Sequence, residues 1–248
     1  MNDQFSRSAL LLGADAMKQL LNAKVALFGV GGVGGYCAEA LARAGVGTIH
    51  LYDDDTISES NLNRQLVALH STLGSGKAQT MAARIRDINP NCRVEAFPLF
   101  YLPQNSDSVD LSQYDYVADC IDTVTAKLEL ISRCKAQGLN VISALGTGNR
   151  MDPTAVICTD ISKTRDCPLA RVMRKELRHR GINHLEVICS TEQPLTPLQT
   201  AQAETPETDT RPGSTARRDT PGSLPFVPAA AGLAMASVIV RRLAELEA

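Results

Sequence analysis

An open, doubly wound α/β fold with a mostly parallel sheet is what this chain of 248 residues predicts, on three observations. A glycine cluster, Gly29-Val30-Gly31-Gly32-Val33-Gly34-Gly35, stands between an apolar run and a helical pattern. Strand-length apolar runs then alternate with amphipathic segments, as in parallel sheets with crossover helices. With 44% hydrophobic and 21% charged residues, the chain can bury one full core with an appended region.

An N-terminal helix near 8–21 is expected from Leu10, Leu11, Ala14, Met17, Leu20 and Leu21 at helical spacing. Strands follow near 25–30, 48–52, 93–98, 116–120 and 140–143, with helices near 33–44, 77–88 and 125–137 among them. That order is Rossmann-like and makes residues 1–248 a single domain with a C-terminal extension. In the extension, Cys167 to Gly181 reads as a helix with proline near its start and glycine just past its end. Leu169, Val172, Met173 and Leu177 form its apolar stripe, leaving Arg171, Arg174, Lys175 and Arg178 to face outward. From Pro194 to Ser223 the composition shifts to Pro, Thr, Ala and charge, so 194–223 is expected to be a mobile loop. Residues 224–246 form an apolar helix region. Ser237 is the only polar side chain from Leu224 to Val240, which a hydropathy scan reads as a membrane span. Pro225 and Pro228 at its start and the alanine- and glycine-rich centre argue instead for a helix of about a dozen residues, buried in the core or a dimer interface.

Glycine permits φ > 0 in the first turn and lets a phosphate approach bare backbone, while the N–H groups and positive end of the next helix attract the anion. Gly29, Gly31, Gly32 and Gly34 are therefore a candidate phosphate cradle; the plainer reading is close packing of a helix on a strand. The acidic cluster Asp53-Asp54-Asp55 follows about twenty residues later, where a ribose-binding carboxylate belongs. To this point an NAD enzyme fits as well. The run Ser60-Asn61-Leu62-Asn63-Arg64-Gln65, with Lys77 at the start of the next helix, then adds an amide and two cations. These suit a triphosphate, because adenylyl transfer needs charge stabilisation on the α-phosphate and on the departing pyrophosphate.

In these residues the chain resembles the ubiquitin-activating-like superfamily of adenylating enzymes, the ThiF/MoeB type, whose bacterial members activate sulfur-carrier proteins for thiamine and molybdopterin synthesis. The resemblance runs from about Arg7 to Arg150 and rests on the glycine run, on Asp53 through Gln65, on Lys77 and on Asp119-Cys120-Ile121-Asp122. It implies ATP as cofactor, with Asp53 holding the ribose, Asp55 beside it, and Asn61, Arg64 and Lys77 contacting the phosphates. It implies Arg64, Lys77 and Asp122 as the catalytic residues, with Asp122 holding Mg2+. Physical chemistry agrees for Asp122, since ligands of open parallel sheets bind outside the carboxyl ends of strands and Mg2+ needs only one or two protein carboxylates beside phosphates. Its plainer role is to cap the helix that follows. The resemblance further implies that Arg7 reaches the ATP of a partner subunit in a homodimer, although a near-terminal arginine ordinarily lies in solvent.

A net charge of −2 argues neither for nor against a polyanionic partner. Seven cysteines without a C-x-x-C pair suggest reduced thiols, and Met1 to Gly13 is too polar and too short for a secretory signal, so a cytoplasmic location is expected. Many sulfur-carrier activators bind zinc through two C-x-x-C motifs, which this chain lacks. Cys158, Cys167 and Cys189 read as buried thiols. No nearby histidine or basic residue is evident to activate Cys189 as a nucleophile.

The basic helix, the missing zinc cysteines, Ser190-Thr191-Glu192-Gln193-Pro194 and the Phe226-Val227-Pro228 lead into the last helix resemble the branch of the superfamily that dehydrates threonylcarbamoyladenosine in tRNA. With them the resemblance covers nearly the whole chain. It implies ATP-dependent cyclisation of the threonylcarbamoyl group through an acyl-adenylate. The attacking urea belongs to the substrate, so positioning matters more than a catalytic cysteine. tRNA is then the partner, a sulfur-transfer protein a further one, and Arg171, Arg174, Lys175 and Arg178 are phosphate contacts. A solvated face is the plainer reading of that helix. The alternatives are adenylation of a sulfur-carrier protein, an NAD-dependent oxidoreductase, and a nucleotide sensor without turnover.

Overall fold

The structure, a computed structural model, describes residues 4–198 and 221–246. Its seven strands form one sheet in the order β3-β2-β1-β4-β5-β7-β6. They are β1 (Lys24–Phe28), β2 (Thr48–Tyr52), β3 (Arg93–Phe97), β4 (Tyr116–Asp119), β5 (Val141–Ala144), β6 (Val156–Asp160) and β7 (Glu186–Ser190). Every pairing is parallel except β6 with β7. The chain winds outward from β1 to β3 and then returns to lay β4 on the other side of β1. The switch point of the sheet, where open α/β folds bind ligands, thus lies between the carboxyl ends of β1 and β4.

The crossover helices α3 (Gly34–Ala44), α4 (Lys77–Ile88) and α5 (Val124–Ala136) stand where the periodicity predicts them. The Val25, Leu27, Ile49 and Leu51 side chains pack in one core cluster, and those of Ala26, Phe28 and Val117 in the other, as period-two alternation on a doubly covered sheet requires. The predicted N-terminal helix is two helices, α1 (Ser6–Leu12) and α2 (Ala14–Asn22), broken at Gly13, whose φ is 84°. The break redirects the apolar face: Ala16, Met17 and Leu20 are buried, whereas Leu10, Leu11 and Leu21 are exposed.

Sequence periodicity does not identify β6 and β7. On the edge strand β6 it is weak, with Ile157 and Cys158 both exposed. Cys158 therefore departs from the expected buried thiol, while Cys167 and Cys189 are buried. Helix α6 (Pro168–His179) buries Ala170, Met173 and Leu177, with Leu169 half-buried. Val172, expected in the stripe, is exposed, and Ala170 takes its place in the core.

Helix α7 (Phe226–Leu243) has 18 residues, longer than the dozen expected. Pro225 precedes it and Pro228 lies in its first turn, where a missing N–H removes no helical bond. By length and composition α7 could cross a membrane, but half of it is buried against the rest of the fold. Its small residues serve a close helix crossing. A Cβ on Gly232 would stand 2.3 Å from the Val33 carbonyl oxygen and 3.0 Å from the Cys37 nitrogen, so α7 lies directly on the first turn of α3. Of the 194–223 segment, residues 199–220, including Arg211, Arg217 and Arg218, lie outside the described residues.

Candidate nucleotide site

The glycine turn closes by direct backbone contact. Gly29 has φ 89°, and a Cβ there would meet the Cys120 carbonyl oxygen at 2.6 Å, because β4 ends alongside. A Cβ on Gly34 would lie 1.8 Å from the Gly29 carbonyl oxygen, which fixes α3 against the end of β1. Gly31 differs: its nearest outside neighbour is Gln65 Nε2, 4.0 Å from an added Cβ, leaving room over the turn for a phosphate. At Gly32 an added Cβ would meet Pro228 of α7 at 3.2 Å.

Asp53, just past β2, is tied to this turn. Its Oδ2 accepts the Val30 N–H at 2.6 Å and its Oδ1 accepts the Asp55 N–H at 2.9 Å. Burial pushes the Asp53 carboxyl above the usual range, opposed by these hydrogen bonds and by the Lys77 charge. Asp55 pairs with Lys77 at 2.8 Å, and the Lys77 N–H donates to the Asp55 carbonyl at 2.9 Å, so the first residue of α4 is anchored at the end of β2. Lys77 is buried, though nothing in its sequence neighbourhood signals it.

The intervening run folds into a 3-10 turn over Glu59–Asn61. Asn61 caps it, its Oδ1 accepting the Ser58 N–H at 3.2 Å. Arg64 is held by the Ser60 carbonyl at 2.8 Å and by Asn63 Oδ1 at 2.9 Å. Asn63 in turn donates to the Ser223 carbonyl at 2.9 Å, which links this turn to the lead into α7. The sequence alone assigns no role to Gln65, yet it is buried beside Gly31, and its Oε1 has no hydrogen-bond partner among the described residues. The signal is its place in the same polar run.

Asp122 is exposed beyond β4 and accepts from Thr123 Oγ1 at 3.2 Å. It does not cap α5: the N-cap is Thr123, without a side-chain cap bond. Asp122 offers the hard oxygen that Mg2+ takes, and the Asp53, Asp54 and Asp55 carboxylates gather within 4.8 Å of one another beyond β2, one strand removed from β4 across β1. The donor set therefore fits that cation. Arg7 is exposed on α1, on the far side of α2 in sequence from the glycine turn.

On α6, Arg171, Lys175 and Arg178 are exposed. Arg174 is not part of a free basic face: its guanidinium donates to the Thr164 carbonyl at 2.8 Å and to the Thr164 hydroxyl, pinning α6 to the preceding turn. Cys189 is buried, and burial pushes its thiol up to about 11, as it pushes Cys120 up to about 12. Both are protonated near neutral pH. An open cleft of about 710 Å³ along His50, Tyr52, Glu95, Phe97 and Tyr114 does not include the glycine turn.

Residues 5–247 match the model of the ThiF family. A tRNA threonylcarbamoyladenosine dehydratase of Bacillus subtilis is 41% identical over 98% of this chain and 95% of its own length. Its namesake in Escherichia coli is 41% identical over 71% of this chain and 65% of its own length. The solved structure of the E. coli tRNA N6-threonylcarbamoyladenosine dehydratase in complex with AMP superposes with a TM-score of 0.84 at 33% identity, covering 97% of this chain and 93% of that one. Its ATP complex gives 0.83 over the same shares. E. coli MccB with ATP, at 16% identity and a TM-score of 0.68, shares the fold.

Proposed function

We propose that this chain, which belongs to the ThiF family, is an ATP-dependent tRNA threonylcarbamoyladenosine dehydratase that works through an acyl-adenylate. The match to the B. subtilis dehydratase along 98% of the chain carries this reading, because it runs through α6, β7 and α7 as well as the nucleotide half.

On this reading the ATP phosphates lie over Gly31 at the start of α3, whose N–H groups face them. Asp53 takes the ribose hydroxyls with its remaining lone pairs. Arg64 and Lys77 stabilise charge on the α-phosphate and the pyrophosphate, Lys77 exchanging Asp55 for a phosphate oxygen. Asp122 holds Mg2+, which when bound neutralises the departing pyrophosphate. The substrate carboxylate attacks the α-phosphorus and displaces pyrophosphate. The urea of the same nucleoside then attacks the activated acyl carbon, loses its proton and expels AMP, which carries away the carboxylate oxygen. The net change to the nucleoside is loss of one water. No group of the protein attacks, in keeping with the protonated, buried Cys189.

The exposed Leu10 and Leu11 support α1 as a face for a second copy, across which Arg7 reaches the partner's ATP. Arg171, Lys175 and Arg178 supply tRNA phosphate contacts. The test is to incubate the protein with ATP, Mg2+ and threonylcarbamoylated tRNA and weigh the nucleoside. Loss of one water is expected; an unchanged nucleoside, with pyrophosphate released only when a diglycine-ended carrier protein is added, overturns the reading.

A further inference from the structure

Beneath the turn that carries Asp122 lies a buried ion pair that the reaction above does not use. Asp119, the last residue of β4, Lys127 in the first turn of α5, and Ser143 on β5 expose no surface. Lys127 Nζ lies 2.9 Å from Asp119 Oδ2, and Ser143 Oγ donates to the same oxygen at 2.6 Å. Both charges also bond to one residue of the turn. The Ile121 N–H donates to Asp119 Oδ1 at 3.2 Å, and Lys127 Nζ donates to the Ile121 carbonyl at 3.0 Å. The peptide groups on either side of Ile121 are thus gripped by opposite charges. The turn itself is wedged on the phosphate cradle, since the Cys120 carbonyl fills the space a Gly29 side chain would need and Cys120 Cβ lies 3.2 Å from an added Cβ on Gly34.

We infer that Asp119 and Lys127 are positioning residues that fix the Cys120–Asp122 turn and so set Asp122 at the phosphate site; the inference rests on the reading of Asp122 given above. Stability does not account for the pair. Removing two charges from water is costly, and apolar residues of similar volume are often equally stable in their place. What the pair supplies is direction, two bonds that hold a backbone turn in one place, and partners of this kind commonly tune a metal site from behind its ligand.

The experiment compares wild type with the neutral double variant Asp119→Asn/Lys127→Met and with Asp122→Asn. Amide hydrogen exchange at Ile121 and equilibrium ATP binding as Mg2+ is titrated are the two measurements. In the double variant the Ile121 amide should exchange at least about tenfold faster while the β1 amides stay protected, and half-maximal Mg2+ should rise by about tenfold or more. ATP binding without Mg2+ should be unchanged. A folded double variant with wild-type exchange and Mg2+ dependence overturns the positioning role while leaving Asp122 as the ligand, provided Asp122→Asn shifts the titration. If Asp122→Asn shifts nothing, the reading of Asp122 falls and this inference with it. Should the double variant not fold, Ser143→Ala removes one bond from Asp119 and keeps the pair. A smaller shift in the same direction is then expected, and none overturns the proposal.

Discussion

The two halves of the sheet are assembled by different rules. From β1 to β4 several of the groups proposed for the nucleotide site follow their strands within a few residues, Gly29 to Gly34 after β1, Asp53 after β2 and Asp122 after β4, while Arg64 lies in the long connection between β2 and α4 and Lys77 at its end, as the first residue of α4. Beyond β5 the sheet grows by an antiparallel pair, and the chain then returns through α7 to lie on α3. Yet both halves meet at one loop. The start of α3 is fixed from the sheet by Gly34 against Gly29, and from the far end of the chain by Gly232 against Val33 and Pro228 against Gly32. The groups proposed for chemistry all lie in the first half of the chain, whereas groups that hold them still come from wherever the chain passes.

Valine substitution of the two contact glycines tests that comparison most severely. Gly34→Val forces a side chain into the Gly29 carbonyl, 1.8 Å from the new Cβ, with the Cys120 Cβ 3.2 Å away and the Gly29 backbone unable to yield. Loss of ATP binding, and of most soluble protein, is expected. Gly232→Val instead pushes two helices apart, which α7 can accommodate by sliding, so a folded protein with weakened ATP binding is expected. Equal ATP affinity in Gly232→Val and wild type, measured by calorimetry, would show that α7 covers the loop without supporting it.

Next in size are the cations. Arg64→Ala and Lys77→Ala should each slow pyrophosphate release by roughly a hundredfold or more at saturating substrate, because each removes a preorganised charge where negative charge develops. Melting should hardly change for Arg64→Ala. Lys77→Ala should lower it somewhat, since Lys77 is buried and its loss strips Asp55 of a partner. Near-normal release from either variant removes that residue from the site.

How much of the molecule is legible in its sequence follows the same division. The parallel strands, the glycine turn and the polar run can be read because each depends on residues adjacent in sequence, with alternation and turn chemistry intact. Edge strand β6 lacks a buried face to impose alternation, and the break at Gly13 leaves no mark in a pattern of leucines that fits one continuous helix. Asp122, expected to hold Mg2+, has a helix cap as its plainer reading, but Thr123 occupies that position. The pairing of Asp119 with Lys127 is invisible for a different reason: it spans a strand, a turn and a helix, and a lysine in a helical pattern ordinarily faces water. Arg174 shows the converse, an apparently outward charge consumed by a structural bond to Thr164.

That bond divides the basic helix for a third test. Replacing Arg171, Lys175 and Arg178 by alanine should weaken tRNA binding and flatten its salt dependence, by up to about 0.9 in slope for each duplex phosphate left without its cation, with ATP affinity unchanged. Arg174→Ala should leave the slope nearly alone and lower the melting temperature, because it unpins α6 from the turn before it. Identical slopes for wild type and the triple variant would return α6 to a solvated face and move the tRNA surface elsewhere.

The smallest effect is expected at the thiols. Cys189 is 2% exposed, and burial raises its thiol to about 11, so near neutral pH it stays in the protonated form, which is a poor nucleophile. Cys158 is exposed on the edge of the sheet and should be alkylated first, with no loss of turnover. Cys189→Ser should keep the chemical step at the wild-type rate in the folded fraction and lose some stability, because it places a hydroxyl where β7 packs against the core. Single-turnover formation of the dehydrated nucleoside measures this. A well-folded Cys189→Ser protein without turnover would mean that the acyl group passes through the enzyme after all, and that the second half of the chain contributes chemistry and not only shape.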